Sequence, residues 1–574
     1  MDGDRPASGD ASNTSTDDAF VFPAEDTGEQ DPNASLPTSG LKQRVVDAVS
    51  RYYETESDLD LPVPTREAIR DQYFEWSYLD RVTAIEHYWL NRPHAFASIV
   101  YDPEARAYRY LINEVGLDAF ESYVRTDLTE VLRDVLLYRE VDATSRERVF
   151  QDEVVALLAE YGDGLDATTL RKLQYYLQRD FVGYAELDPL MHDTHIEDIS
   201  CVGPDLPVFV YHEHYRDLRT SLSFEDERLS TFVTRLAQRS GKHISMADPL
   251  VDGSLPDGSR IQLTLGTDVS ARGSNFTVRK FAATPYTPVD LIELGTISLD
   301  MATYLWLAVQ HEMDTLFVGG TASGKTTTMN ASAFFVPPNS KVISIEDTRE
   351  ITLPHDNWIQ SLTRDATGGE QTGIGMYRLL RAGLRQRPEY LLVGEIRTDP
   401  DVALTFFQAI ASGHTGFSTF HADSVETAID RLTNDPLAVP EQMVRALDVI
   451  VLQRQSFLGS RRVRRVNEVV ELGVAETDTN TIEPRTIYRW DVSDDTFEQV
   501  NEPQLYHRIR DVRDWSAAHL EDEFETRRTL LQYLVESDVD DHRAITGVLH
   551  TFVRDPESVV PELQAGTLDP TEYV

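Results

Sequence analysis

The stretch "TLFVGGTASGKTTTMN", residues 315–330, decides the fold. A short β-favouring run, 315–318, leads straight into Gly319-x-x-x-x-Gly324-Lys325-Thr326, and a helical run follows. A glycine-rich loop between strand and helix is suited to holding phosphate. Across Gly319, Gly320, Thr321, Ala322, Ser323 and Gly324, backbone N–H groups can curl around a β-phosphate, and the new helix adds its partial positive end. Lys325 would reach the β- and γ-phosphates of ATP, and the Thr326 hydroxyl, with Thr327 next to it, would face Mg²⁺.

Around this loop, residues 289–499 alternate helix and strand, the rhythm of a parallel sheet with helices on both faces. "KVISIEDTREI", 341–351, reads as a strand ending on Glu346-Asp347, with Glu350 close behind. Carboxylates at that end of a strand lie beside the phosphate loop, in the crevice where ligands bind. "EYLLVGEIR", 389–397, is a buried strand running into Gly394-Glu395. Many P-loop enzymes end this strand on an aspartate that helps hold magnesium; its loss requires acidic groups from a neighbouring strand, and Glu346-Asp347 is placed for that. "ASGHTGFSTFHADS", 411–424, sets His414 before and His421 after a small polar strand, where structural and functional histidines are equally expected.

Composition divides the rest. Residues 1–38 are polar and expected to be disordered, because they cannot bury enough surface to offset ordering entropy. Residues 39–164 read as mainly helical. Leu128, Val131, Leu132, Val135 and Leu136 form one stripe, and "FASIVYDPEARAYRYLI" reads as a hairpin. Residues 165–281 read as a separate α+β domain and 282–288, with two prolines, as a hinge. Residues 500–574 read as helical, acidic and docked on the body.

The 574-residue chain carries a net charge of −44, and Lys42, Lys172, Lys242, Lys280, Lys325 and Lys341 are its only lysines. A dense carboxylate shell of this kind suits a very salty cytoplasm, as in a halophilic archaeon; the duller reading is an acidic mesophilic protein. It also weighs against an open nucleic-acid-binding face. The single cysteine, Cys201, excludes an internal disulfide and a four-cysteine zinc site. No apolar run reaches the roughly 18 residues that span a bilayer. The expectation is a soluble cytoplasmic chain that reaches a membrane only through a partner.

Taken together, "GGTASGKTT", "IEDTREI", "LRQRPEYLLVGEIR" and "GHTGFSTFHA" resemble, in order and spacing, the P-loop, Asp box, atypical strand motif and His box of the secretion "traffic" ATPases. That superfamily includes type II secretion, type IV pilus, type IV secretion and archaellum motors. The upstream stretches "DPLMHDTHIEDISCVGPDLPVFVYH" and "DPLVDGSLPDGSRIQLTLG" resemble its archaeal branch, so the likeness spans about residues 165–472. It implies an α/β fold: a RecA-like P-loop NTPase domain preceded by an α+β domain that closes on the nucleotide, with helical N- and C-terminal regions. It implies ATP and Mg²⁺, a homohexamer, a polytopic membrane platform protein and, indirectly, pilin-like substrates. The activity would be ATP hydrolysis that drives assembly of a pilus-like filament, adhesion pilus or archaellum, or secretion.

By the same resemblance, Glu346 is best placed to polarise the attacking water, directly or through an intervening group. Glu395 would assist at the metal or γ-phosphate, and the choice of base stays open between the two. His421 would sense the γ-phosphate. Arg381 and Arg385 would neutralise phosphate charge, while Arg260 and Arg272 would swing in from the preceding domain. The other reading is a RecA-like nucleic-acid motor, which needs a basic pore; no lysine-rich loop supplies one. Arg279 and Lys280 fit either a place near the nucleotide or strand-end charges. "RRVRR", 461–465, reads as a strand rim or as a contact for an acidic partner. His192, Asp193, His195, Asp198, His212 and His214 are assigned no metal, since no family motif supports one.

Overall fold

The computed structural model describes residues 38–55, 61–137, 146–161, 164–281, 284–364, 373–459, 461–475, 478–537, 539 and 541–574. The tail expected to be disordered lies, except for its last residue, outside them. The chain divides between Phe281 and Ala282 into two compact units.

The first unit is built on one mixed sheet. Its strands are β1 (Thr83–Asn91), β2 (Ala95–Asp102), β3 (Ala107–Glu114), β4 (Ile196–Cys201), β5 (Pro207–His212), β6 (Arg216–Ser223), β7 (Leu250–Ser254), β8 (Arg260–Thr264) and β9 (Asn275–Arg279). Their spatial order is β1-β2-β3-β6-β5-β4-β9-β8-β7. The hairpin read from residues 96–112 is β2–β3, with Asp102 accepting the N–H groups of Glu104 and Ala105 in its turn. β2 is buried on both faces over Ala95–Val100, as a near-continuous apolar run requires.

The division expected at residue 164 does not separate two bodies. β3 pairs in parallel with β6, Arg109 with Arg219 and Tyr110 with Thr220, and one core takes side chains from both stretches. The helical part of the earlier stretch packs by itself: Leu128 and Leu132 of helix Ala119–Leu137 meet Val154, Leu158, Leu173 and Leu177 of two following helices. The side chains of Val135 and Leu136 lie outside the described residues.

The second unit carries β10 (Thr315–Gly319), β11 (Val342–Glu346), β12 (Trp358–Leu362), β13 (Tyr390–Ile396), β14 (Thr415–Phe420), β15 (Val449–Leu458), β16 (Arg461–Ala475), β17 (Asp478–Asp491) and β18 (Thr496–Gln499). They lie in the order β12-β11-β13-β14-β10-β15-β16-β17-β18, parallel from β12 to β15 and antiparallel beyond. Side chains alternate between two cores, as the pleat demands. Val342, Phe317, Tyr390, Leu392, Phe417 and Val449 enter one face with helix Leu299–Gln310; Ile343, Leu316, Leu391, Val393, Phe420 and Ile450 enter the other.

The C-terminal helices Ala517–Glu536 and His542–Arg554 complete the first of these cores around Trp306. Glu471 of β16 ties that region down, accepting from the Tyr304 hydroxyl at 2.9 Å and from the backbone N–H groups of Gln504 and Leu505. Among the described residues no helix is long and apolar enough to cross a membrane.

Candidate active site

The centre of the site is the loop between β10 and helix Lys325–Ser332. Gly324 caps the helix in the left-handed region at φ 98°, where a Cβ is disfavoured, and Gly319 has no room for one. A side chain at 319 would strike the Gln453 carbonyl oxygen and stand 2.5 Å from Ser323 Oγ. The loop therefore closes tightly, with Ser323 Oγ donating to the Gly320 carbonyl at 2.9 Å. Lys325 Nζ folds back onto the same carbonyl at 2.8 Å. Burial lowers the Lys325 pKa, while Glu395 and Glu350 pull it back up, so both carboxylates lie within electrostatic reach of the ammonium. Thr326 and Thr327 are half-buried at the helix start.

Glu346 ends β11 with the parity of Val342, so its side chain enters the face that also holds Met329 and Ala331 of the phosphate-loop helix. It is 1% exposed. Its Oε1 accepts the N–H groups of Glu350 and Ile351, both at 2.8 Å, and Oε2 accepts from Gln360 Nε2 at 3.2 Å. Burial outweighs these bonds and pushes its carboxyl up to about 7.

Glu395 reaches the same face by a different device. Along β13, Leu391 and Val393 point to the far core, and strict alternation would send residue 395 there too. The pairing with β14 shifts between Val393 and Glu395: Val393 faces Ser418, and Glu395 faces Thr419. Gly394 is the extra residue of a bulge, and Ile396 accordingly lies in the core of Leu391 and Val393. Glu395 is thereby turned to the side of Glu346 and Lys325. Gly394 itself passes close to Glu346, where a Cβ would lie 3.4 Å from Cγ.

Other residues around the loop were given no place at the nucleotide in the sequence reading. Arg397 donates to Glu395 Oε2 at 2.7 Å and lies 3.6 Å from Asp347 Oδ2, holding the two strand-end acids together. Gln453, midway along β15 and paired with Gly319, accepts from Thr328 Oγ1 at 3.2 Å. Arg464 of the basic run donates through Nε to the Ala322 carbonyl at 3.2 Å. Polar Gln453 after the apolar run "VIVL", 449–452, was the available signal for this brace.

The remaining sequence candidates fall as follows. His421 follows β14, whose pairing of Phe420 with Val318 sets it beside Gly319; it is exposed. His414 lies at the opposite end of β14, against the Ala409 carbonyl. Arg381 and Arg385 are exposed on and just after helix Met376–Leu384, Arg381 over the Tyr377 ring. In the first unit, Arg260 begins β8 and exposed Arg272 packs by Gly203. Arg279 pairs with Asp198, and Lys280 donates to the Leu190 and Asp193 carbonyls, so within that unit both are strand-end charges. In the basic run, Arg465 is bound to Asp495 and the Leu294 carbonyl.

A glycine-rich loop between a central parallel strand and a helix, with acidic strand ends beside it, defines a P-loop NTPase of the α/β class. Residues 202–499 match the model of the type II/IV secretion system protein family, and residues 44–114 match that described as PilB3-like, N-terminal. The chain belongs to the type II/IV secretion system protein family. An uncharacterized protein of Methanocaldococcus jannaschii is 37% identical over 388 residues, which cover 66% of this chain and 69% of that protein. The type IV secretion system protein PtlH of Bordetella pertussis is 32% identical over 273 residues, covering 41% of this chain and 79% of PtlH. The crystal structure of the VirB11 ATPase from the Brucella suis type IV secretion system is similar at 27% identity and a TM-score of 0.26, covering 49% of this chain and 91% of that one.

Proposed function

We propose that the chain is an ATP-hydrolysing motor that powers assembly of a pilus-like filament or secretion across the cytoplasmic membrane. The observation supporting this most directly is that Glu346 and Glu395 share one sheet face with Lys325 and its helix. Residues 319–327 receive the ATP phosphates, and Lys325 exchanges the Gly320 carbonyl for β- and γ-phosphate oxygens. The residues fit Mg²⁺, because the half-buried Thr326 hydroxyl and two carboxylates offer hard oxygens. Bound there, the ion would neutralise charge on the phosphate oxygens.

Glu346, anchored through Oε1 by two N–H groups, accepts a proton from water attacking the γ-phosphorus. Glu395, steered by Arg397, assists at the γ-phosphate side, where His421 registers whether that phosphate is present. Arg381, Arg385, Arg260 and Arg272 neutralise phosphate charge in a site completed within a homohexamer. A polytopic membrane platform protein couples the motor to pilin-like subunits and holds it at the membrane's inner face.

Lys325→Ala is expected to abolish turnover. Glu346→Gln is expected to slow it at least about 100-fold while ATP still binds. Phosphate release and fluorescent-nucleotide titration read the two separately. Normal hydrolysis by Lys325→Ala would overturn the site, and normal hydrolysis by Glu346→Gln would overturn the base. Deleting the gene and scoring motility and surface adhesion apart tests the filament.

A further inference from the structure

Three histidines meet at one corner of the first unit. His195 precedes β4, His212 ends β5, and His214 lies in the turn into β6; the pairing of Ile196 with His212 brings them together. Their ring centroids are 5.5 Å (His195–His212), 5.5 Å (His195–His214) and 5.8 Å (His212–His214) apart. The fold adds Glu213, which sequence reasoning did not single out. His195, Glu213 and His214 each offer a ligand atom, and these atoms lie within 4.8 Å of one another, with His195 Nδ1 and Glu213 Oε2 at 3.8 Å. The His195 and Glu213 side chains are 37% and 36% exposed, so an ion from solvent can reach them.

Behind these groups stands a buried network that places them. His212 is fully buried and its Nδ1 accepts the backbone N–H of His214 at 3.1 Å, which leaves the ring proton on Nε2. Nε2 then donates to the Tyr88 hydroxyl at 3.1 Å, and Tyr88 donates to Asp193 Oδ2 at 2.8 Å. Asp193, 2% exposed, also accepts from the Tyr110 hydroxyl at 2.6 Å, while its Oδ1 takes the backbone N–H of His195 at 2.8 Å. One interior carboxylate thus sets the backbone at both ends of the cluster.

We propose that His195, Glu213 and His214 bind a divalent transition-metal ion of the zinc class, with solvent in the fourth position. Two imidazoles and a carboxylate are a ligand set for such ions, whereas magnesium and calcium prefer oxygen alone. Metal–ligand bonds of about 2.0–2.1 Å place tetrahedral ligand atoms roughly 3.3 Å apart. Binding therefore requires the exposed Glu213 and His214 side chains to turn inward from the present spacing. The bound ion ties the β5–β6 turn to the start of β4.

The test uses the full-length chain without an affinity tag, stripped by chelator and free of nucleotide, titrated with Co²⁺. One equivalent is expected to bind with the strong visible absorption of four-coordinate cobalt, to be displaced by Zn²⁺, and to raise Tm by a few degrees. His195→Ala and His214→Ala should each weaken binding about 100-fold or more, and Glu213→Gln about tenfold. His243→Ala, an exposed histidine elsewhere in the unit, should change nothing. Circular dichroism confirms that the variants fold, and exposed His214 keeps the test alive if His195→Ala does not. Binding that survives the double variant His195→Ala/His214→Ala, or only the weak absorption of six-coordinate cobalt, overturns the proposal.

Discussion

At the scale of single residues, burial raises the Glu346 carboxyl toward neutrality, which suits the base proposed for it. A carboxyl pushed up to about 7 is a stronger base than an ordinary carboxylate, and about half of it is ionised near pH 7. Turnover should therefore fall as pH drops below about 7, following one ionisation in the pH–kcat profile. The same shift has a stability sign. The folded chain binds this proton more tightly than the unfolded chain, whose carboxyl stays near 4.5. The associated stability is present below about 4.5 and is lost as pH rises through about 7. Asp314 at the other end of β10, pushed up to about 8 chiefly by burial, adds a loss of the same sign. Glu346→Gln should consequently be more stable than the parent at pH 8, by on the order of 1–3 kcal/mol, and nearly equal to it at pH 4. Thermal melts across that range, without nucleotide, check this. A glutamine variant no more stable at pH 8 would show that no buried charge had been removed.

At the scale of elements, the helix–strand rhythm of the second unit was readable because its central parallel strands are short apolar runs, buried on both faces and bounded by turns. The phosphate loop was equally legible, since its glycines answer to steric demands set within a few residues. The bulge at Gly394 was not. It exists only in the register between β13 and β14, and sequence parity alone sends Glu395 to the wrong face. The β3–β6 pairing escaped for a similar reason: it joins residues about 110 positions apart, and neither strand's composition names its neighbour. The brace from β15 and β16 is the third such feature, because Gln453 and Arg464 reach the loop only through sheet order. Replacing Arg464 by alanine removes its hydrogen bond to the Ala322 carbonyl. A net loss of about 0.5–1.5 kcal/mol corresponds to nucleotide affinity weakened about two- to tenfold. Fluorescent-nucleotide titration measures it, and unchanged affinity with an intact fold would mean that the loop holds its shape without the brace.

At the scale of the whole molecule, the net charge of −44 acts on every part of the surface. Of the cations, several serve inside the fold: Lys172 is buried against Glu121, Arg179 against Glu114 and Arg465 against Asp495. Excess carboxylates are left facing water and one another, and at low ionic strength their repulsion opposes the compact state. Two effects of added salt can be told apart by range. Plain screening is nearly complete once the Debye length has fallen to about 3 Å, near 1 M. If the carboxylate shell is instead an adaptation to concentrated salt, stability keeps rising beyond that point. Melting temperature measured in KCl from about 0.1 to about 3 M is expected to climb across the whole interval, with ATPase activity following it. A curve that levels off near about 0.5 M would reduce the acidity to ordinary self-repulsion, and a fall above about 1 M would refute the adaptation.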